Sequence, residues 1–242
     1  MQQQNFLYHP TPKIKHHYDE FTLYDGNGSI EIIVANEGKK KALIYFGGNG
    51  ESAALSVDDL AQHFSEFTIY VMNYRGFGGS TGVANEQILY SDALKLYDTI
   101  VAKYTEIIVM GRSLGSGIST YLAANREIGK LILITPFNSI VDVAQGKYPL
   151  YPMRLLLKET YDSVDRIHHI KAQTFILAAG EDKVVPMHYT QKLFDAFPKS
   201  QVSMMILENV GHTTISSHPR YFSLLLDFMI RQHQQRHIEN QK

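Results

Sequence analysis

The stretch Ile107-Ile108-Val109-Met110-Gly111-Arg112-Ser113-Leu114-Gly115 decides how the rest of the chain is read. A short apolar run, Ile107–Met110, predicts a buried strand, and helical spacing resumes from Leu114. Between them stands G-x-S-x-G. A strand-to-helix turn sharp enough to project one side chain into a cleft leaves no room for Cβ atoms two positions either side, which is why both flanking residues are glycine. The Ser113 hydroxyl then sits at a helix N-terminus, where free N–H groups and the helix dipole favour developing negative charge. With glycine and serine each near 7% of residues, three such positions coincide by chance about 0.08 times in a chain of this length. The bland alternative is a glycine-bounded turn with a helix-capping serine. The strand before and helix after argue against it.

The same rhythm extends outward. Ala42–Phe46, Thr68–Asn73, Leu131–Ile134, Thr174–Ala178 and Val202–Leu207 are further predicted strands. Helical patterns fill Ser52–Ser65, Glu86–Tyr104, Leu114–Arg126, Met187–Phe197 and Pro219–Arg231. Strands alternating with helices over short connections predict a mostly parallel sheet with helices on both faces. Asp25-Gly26-Asn27-Gly28 interrupts β-prone residues between Tyr18 and Ala35 and predicts an N-terminal antiparallel hairpin. Residues 136–172 break the rhythm with Pro149, Pro152, Phe137, Tyr148, Leu150, Tyr151 and Met153, as a small cap over one end of the sheet would. The polar tail, residues 231–242, is expected to fray into solvent. The whole, 1–242, reads as a single α/β domain.

A serine nucleophile needs a base, and the chain offers eleven histidines. In this architecture the order is serine, then acid, then histidine, each after a strand. His212 follows the last strand by a short loop and comes directly after Gly211. His218 reads as a surface residue at a helix start. His233 and His237 have metal-like i, i+4 spacing but no accompanying carboxylate, so no metal is expected there. His16-His17 and His168-His169 read as surface pairs. The acid belongs in Ala179-Gly180-Glu181-Asp182-Lys183-Val184-Val185-Pro186, where Glu181 and Asp182 compete. Asp182 is favoured because the loop then turns through Val185 and Pro186 into a helix. A turn-ending Asp182, or one paired with Lys183, is the plainer reading.

The glycine loop Phe46-Gly47-Gly48-Asn49-Gly50 lets backbone approach a reacting carbonyl. The N–H groups of Asn49 and Leu114 are therefore the expected oxyanion donors. Nucleotide loops do not fit: G-x-G-x-x-G does not open the first helix, and no G-x-x-x-x-G-K-[ST] occurs. No cofactor is expected.

Bulk properties narrow the classes. Hydrophobic residues make up 44% of 242 residues, enough for a sizeable core, and the formal net charge is -1. That balance gives no electrostatic case for nucleic acid. The absence of cysteine excludes disulfides, thiolate catalysis and Cys-linked lipidation. Met1–Pro10 does not read as a signal peptide, residue 2 is not the glycine of a myristoylation signal, and no run of about 18 apolar residues occurs. A cytoplasmic protein acting on a small-molecule or acyl substrate is the expectation.

Assembled in this order, the motifs resemble the α/β-hydrolase superfamily over essentially the whole chain. More narrowly they look like its cap-poor serine hydrolases, the depalmitoylase-like enzymes and their bacterial relatives. The strand and H-G-N loop of that group align with Tyr45 to Gly50, and Y-R-G-x-G-x-S-x-G matches Tyr74 to Gly82. The elbow falls on Gly111 to Gly115. G-x-D-x-x-V-P fits Gly180 to Pro186 and names Asp182, and the terminal G-H names Gly211-His212. The resemblance implies a Ser113–His212–Asp182 triad and a structural role for Tyr74–Gly82, with Arg75 anchoring backbone carbonyls. One departure stands out: Gly47 replaces the histidine of H-G-N, a loss that would loosen the oxyanion loop or admit a bulkier substrate.

The expected reaction is hydrolysis of a carboxylic ester or thioester through an acyl-enzyme. Gly48, Phe137, Tyr148, Tyr151, Met153 and Val185 are the candidate substrate contacts, and their apolar character predicts a hydrophobic acyl or alkyl group. A peptidase or acyltransferase of the same fold would use the same residues. From a different class, a catalytically silent binding protein that kept the fold is the alternative.

Overall fold

A computed structural model describes residues 7–26 and 28–231 of the chain. Eight strands form one continuous sheet in the order β1-β2-β4-β3-β5-β6-β7-β8. β1 (Asp19–Asp25) and β2 (Gly28–Ala35) are the antiparallel hairpin expected around Gly26, and β2 pairs antiparallel with β4 (Phe67–Met72). From there every pairing is parallel, through β3 (Lys41–Phe46), β5 (Glu106–Arg112), β6 (Lys130–Ile134), β7 (Gln173–Ala179) and β8 (Val202–Leu207).

Strand side chains alternate between two cores. On β3, Ala42, Ile44 and Phe46 face one side and Leu43 and Tyr45 the other. Both sets are buried, which is why the strand reads as a continuous apolar run. The first core takes α2 (Glu86–Ile100), α3 (Leu114–Asn125) and α6 (Met187–Ala196), through Leu89, Leu96, Ile118, Leu122 and Leu193. The second takes α1 (Ala53–His63) and α7 (Tyr221–Ile230), through Val57, Leu60, Leu225 and Met229. The connections from β3 and from β5 lead to opposite sides of the sheet. A crevice therefore opens between their carboxyl ends.

β5 runs two residues beyond the apolar run that announces it. Gly111 and Arg112 still pair with Leu133 and Ile134 of β6, and Gly111 also pairs with Phe46 of β3. Sheet pairing thus carries the chain to the residue before Ser113.

Three expectations are corrected. Arg75 does not anchor backbone carbonyls. Its guanidinium is buried and donates to both oxygens of Asp92, at 2.8 and 2.6 Å, and to Asp25 of the hairpin. A buried cation needs opposite charge, and two carboxylates supply it better than carbonyl dipoles. His16 is not a surface residue: its side chain is 8% exposed, with Nε2 3.4 Å from Glu20. His218 is half-buried and accepts the Arg220 N–H at the entry to α7. The tail with His233 and His237, except Arg231, lies outside the described residues.

Between β6 and β7 the segment 136–172 contains α4 (Ile140–Lys147), α5 (Met153–Leu156) and a 3-10 stretch, Val164–His169. Its returning limb is pinned. Buried Glu86 accepts the N–H groups of Thr160 (2.6 Å) and Tyr161 (2.9 Å), and Glu159 accepts the Tyr8 hydroxyl at 2.9 Å. Its outer stretch is not: Leu150 is 93% and Leu155 86% exposed.

Candidate active site

Sheet register brings the pieces together. β3 and β5 are hydrogen-bonded neighbours, so the loop after Phe46 and the elbow after Arg112 leave the sheet side by side. The elbow tolerates no side chain at its two glycines. A Cβ on Gly111 would lie 2.2 Å from Ser119 Oγ and 2.3 Å from the Gly115 carbonyl oxygen. One on Gly115 would lie 2.0 Å from the Phe46 carbonyl oxygen. Ser113 itself has φ 49° and ψ -116°, a left-handed conformation costly for a residue with a Cβ. It is held there by its N–H to the Ile134 carbonyl (2.9 Å) and by its own carbonyl, which accepts from the N–H and hydroxyl of Ser116.

On the far side, β7 and β8 end level, with Ala179 opposite Leu207. Two further bonds zip their loops together, Gly180 N–H to Leu207 (2.8 Å) and Glu181 N–H to Val210 (3.0 Å). Glu181 is exposed, and Asp182 turns inward. Asp182 Oδ1 accepts the N–H groups of Val184 (2.9 Å) and Val185 (2.7 Å), leaving Oδ2 to meet His212 Nδ1 at 2.7 Å. His212 Nε2 lies 2.8 Å from Ser113 Oγ. Because Nδ1–H donates to the carboxylate, Nε2 is the acceptor for the serine hydroxyl. The side chains of His212 and Asp182 are only 10% and 4% exposed. The three residues form one hydrogen-bonded chain from three separate loops.

The glycine loop faces Ser113 from β3. A Cβ on Gly48 would stand 3.7 Å from Ser113 Cβ. Asn49 turns its side chain away, where Oδ1 accepts the His9 N–H at 2.8 Å. Among the described residues neither the Asn49 N–H nor the Leu114 N–H has an acceptor, whereas the Gly48 and Ser113 N–H groups do. Leu114 follows Ser113 directly in the chain, and Asn49 follows Gly48, whose Cβ position would lie 3.7 Å from Ser113 Cβ.

Sequence reading missed what holds this loop. Glu51 accepts the Gly48 N–H (2.7 Å) and the hydroxyls of Tyr45 and Ser56 (both 2.6 Å), and the Tyr74 hydroxyl donates to the Gly47 carbonyl (2.6 Å). Arg112, the x of the elbow, lies 3.6 Å from Glu51 and donates to the carbonyls of His212 and Thr213. Burial works against the Arg112 charge, but Glu51, with Tyr45 and Tyr221, lifts its pKa above the ordinary guanidinium value. A carboxylate two residues past Asn49, together with an arginine inside the elbow, was the available signal.

With this geometry in view, the family comparison has a site to explain. The alpha/beta hydrolase fold family matches residues 41–160, from β3 through the elbow and into the cap segment. The chain belongs to the α/β-hydrolase superfamily. This α/β hydrolase is 30% identical over 182 residues to an uncharacterized protein of Mycobacterium tuberculosis, covering 72% of this chain and 64% of that one. It is 27% identical over 220 residues to human protein ABHD12B, covering 78% and 60%. The matched stretch thus spans less than two thirds of these relatives' own lengths. In fold, it is similar to an esterase of Pyrococcus furiosus (TM-score 0.71, 16% identity, 91% of this chain and 98% of that one). It is also similar to an alpha/beta hydrolase enzyme from a Medee basin deep-sea metagenome library (TM-score 0.74, 15% identity, 90% and 100%).

The candidate substrate contacts of this α/β hydrolase sit at different depths. Gly48 is beside Ser113. Phe137 and Val185 are core residues, 3% and 4% exposed, and Val185 acts on the site through its N–H to Asp182. Tyr148 and Tyr151 are exposed on the cap, and Met153 is half-buried. They do not make one uniform apolar lining. Among the described residues no group of three or more His, Cys, Asp or Glu is disposed to hold a metal, and no helix is long and apolar enough to cross a membrane.

Proposed function

We propose that the chain is a serine hydrolase that cleaves a carboxylic ester or thioester with an apolar acyl or alkyl group. The observation that carries this reading is the chain Ser113 Oγ–His212 Nε2 (2.8 Å) and His212 Nδ1–Asp182 Oδ2 (2.7 Å).

Ser113 Oγ attacks the carbonyl carbon while His212 Nε2 takes the hydroxyl proton. Asp182 holds the imidazole in the tautomer that leaves Nε2 free and stabilises the imidazolium. The carbonyl oxygen becomes an oxyanion between the Asn49 and Leu114 N–H groups, each worth on the order of 3 kcal/mol in the transition state. Collapse expels the alcohol or thiol, which takes the proton from His212. Water then repeats the sequence on the acyl-Ser113 ester and returns the enzyme. No cofactor enters any step. The segment 136–172 serves as the cap of a single hydrolase domain and faces the variable part of the substrate.

The test is a stopped-flow burst experiment on a graded series of p-nitrophenyl esters and matched thioesters. The account expects a burst of leaving group equal to one per protein, followed by slower deacylation, with longer acyl chains preferred over charged ones. Absence of turnover on every ester and thioester in the series removes the reading.

A further inference from the structure

We propose that Glu51 and Arg112 form a neutral strut that positions the Asn49 N–H and ties its loop to the loop carrying His212. Both act as positioning residues, and the inference rests on the hydrolase reading given above. Gly47 stands where the resemblance implies a histidine, so the loop has no side chain there. A Cβ on Gly47 would lie 3.2 Å from Glu51 Cδ, so the Glu51 carboxylate occupies the space such a side chain would enter. The departure at position 47 is thus matched by an acid at position 51.

The acid is satisfied on all sides. Oε1 accepts the Tyr45 and Ser56 hydroxyls, and Oε2 accepts the Gly48 N–H and faces Arg112 Nη1 at 3.6 Å. The Glu51 N–H closes back on the Gly48 carbonyl at 3.1 Å. Binding the Gly48 N–H fixes the peptide next to Asn49, whose own N–H has no acceptor among the described residues. From the other end of the strut, Arg112 Nη2 reaches the carbonyls of His212 (3.3 Å) and Thr213 (3.0 Å). One guanidinium therefore bridges the oxyanion loop and the base loop, two segments about 160 residues apart in the chain.

Charge makes the pairing specific. A Cβ on Gly48 would lie 3.2 Å from Glu51 Oε2 and 3.7 Å from Ser113 Cβ, so the carboxylate and the serine both adjoin Gly48. The side chains of Arg112 and Glu51 are 17% and 15% exposed, so water screens them weakly. A lone negative charge at that depth would oppose growth of an oxyanion, and Arg112 cancels it. Removing the arginine alone is therefore worse than neutralising the acid, and removing both recovers part of the loss.

Wild type, Glu51→Gln, Arg112→Gln and the double variant are compared on p-nitrophenyl butyrate and with a trifluoromethyl ketone, whose hemiketal places an oxyanion in the site. Arg112→Gln is expected to lower kcat about 100-fold and Glu51→Gln about 10-fold, in the range of a lost oxyanion donor or less. KM stays within about threefold, ketone affinity falls in step with kcat, and the double variant is less impaired than Arg112→Gln. Hydrogen exchange, read by mass spectrometry on residues 46–51 and 211–215, quickens in both loops of folded Glu51→Gln. Unchanged kcat, losses that simply multiply, a change confined to KM, or exchange that quickens in one loop only would overturn the strut. If Arg112→Gln does not fold, Glu51→Gln decides through kcat, ketone affinity and exchange. Wild-type protein that neither turns over nor labels removes the hydrolase reading instead, and the exchange result still decides whether the loops are tied.

Discussion

The loops that hold Ser113, Asp182 and His212 and the outer cap, residues 148–157, both belong to the carboxyl end of the sheet, and they are built differently. In the loops, the two carboxylates are fully engaged: Asp182 accepts from two N–H groups and His212, and Glu51 accepts from three donors. The N–H groups of Asn49 and Leu114, one residue past Gly48 and Ser113, have no acceptor among the described residues. In the cap, Leu150, Tyr151 and Leu155 are 93%, 60% and 86% exposed, and short-range bonds such as Tyr151 N–H to Tyr148 hold the turn. Strand register anchors the first region because each loop begins at a paired residue. No strand fixes the second. Under the proposed function the difference places chemistry and selectivity in separable parts of this chain, so substitutions in each should leave different signatures.

The sharpest way to break that division is at the nucleophile. Ser113→Ala should lower kcat about 10⁴- to 10⁶-fold on any ester while leaving KM and the melting temperature nearly unchanged, as steady-state kinetics and calorimetry would report. Asp182→Asn comes next, for a geometric reason. Oδ1 is held by the Val184 and Val185 N–H groups, so the carbonyl oxygen of asparagine must take that place. Its NH₂ then faces His212 Nδ1 and imposes the wrong tautomer. The expected loss is about 10³- to 10⁴-fold in kcat. A loss under tenfold would mean that Asp182 does not orient the base.

Gly115→Ala tests the rigid region by stability. Its Cβ would meet the Phe46 carbonyl oxygen at 2.0 Å, and that carbonyl belongs to backbone that β3–β5 pairing holds in place. A cost of about 3 kcal/mol is expected, a fall of roughly 10 °C in melting temperature for a chain of this size. The smallest effects belong to the cap. Leu150→Ser and Leu155→Ser should shift stability by no more than about 0.5 kcal/mol. They should raise KM for a long-chain ester about threefold to tenfold and leave p-nitrophenyl acetate unaffected. If the cap variants instead lowered kcat on the acetate, the proposed separation would fail.

The same contrast explains how much was readable beforehand. The strands and the elbow are legible because burial on both faces and close backbone approach restrict residue type at Ala42–Phe46, Gly111 and Gly115. Ser113, Asp182 and His212 are legible because each follows a strand in a fixed order. Glu51 and Arg112 were not, since a charged residue in a loop or at a strand end is ordinarily solvated, and only folding shows that these two meet with their side chains 15% and 17% exposed. Arg75 was read correctly as structural but given the wrong partners, because Asp25 and Asp92 lie 50 and 17 residues away. The cap contacts were the least legible: apolar composition does not say whether Phe137 enters the core or Tyr151 faces solvent.

The central claim is that His212 and Asp182 make Ser113 an activated nucleophile. Intact-protein and peptide mass spectrometry after treatment with a fluorophosphonate tests it most directly, with Ser113→Ala and His212→Ala alongside. The account predicts one adduct per wild-type chain, on Ser113, absent from the first variant and slowed at least about 10³-fold in the second. Folded wild-type protein without an adduct, or with the same labelling rate once His212 is removed, would contradict it.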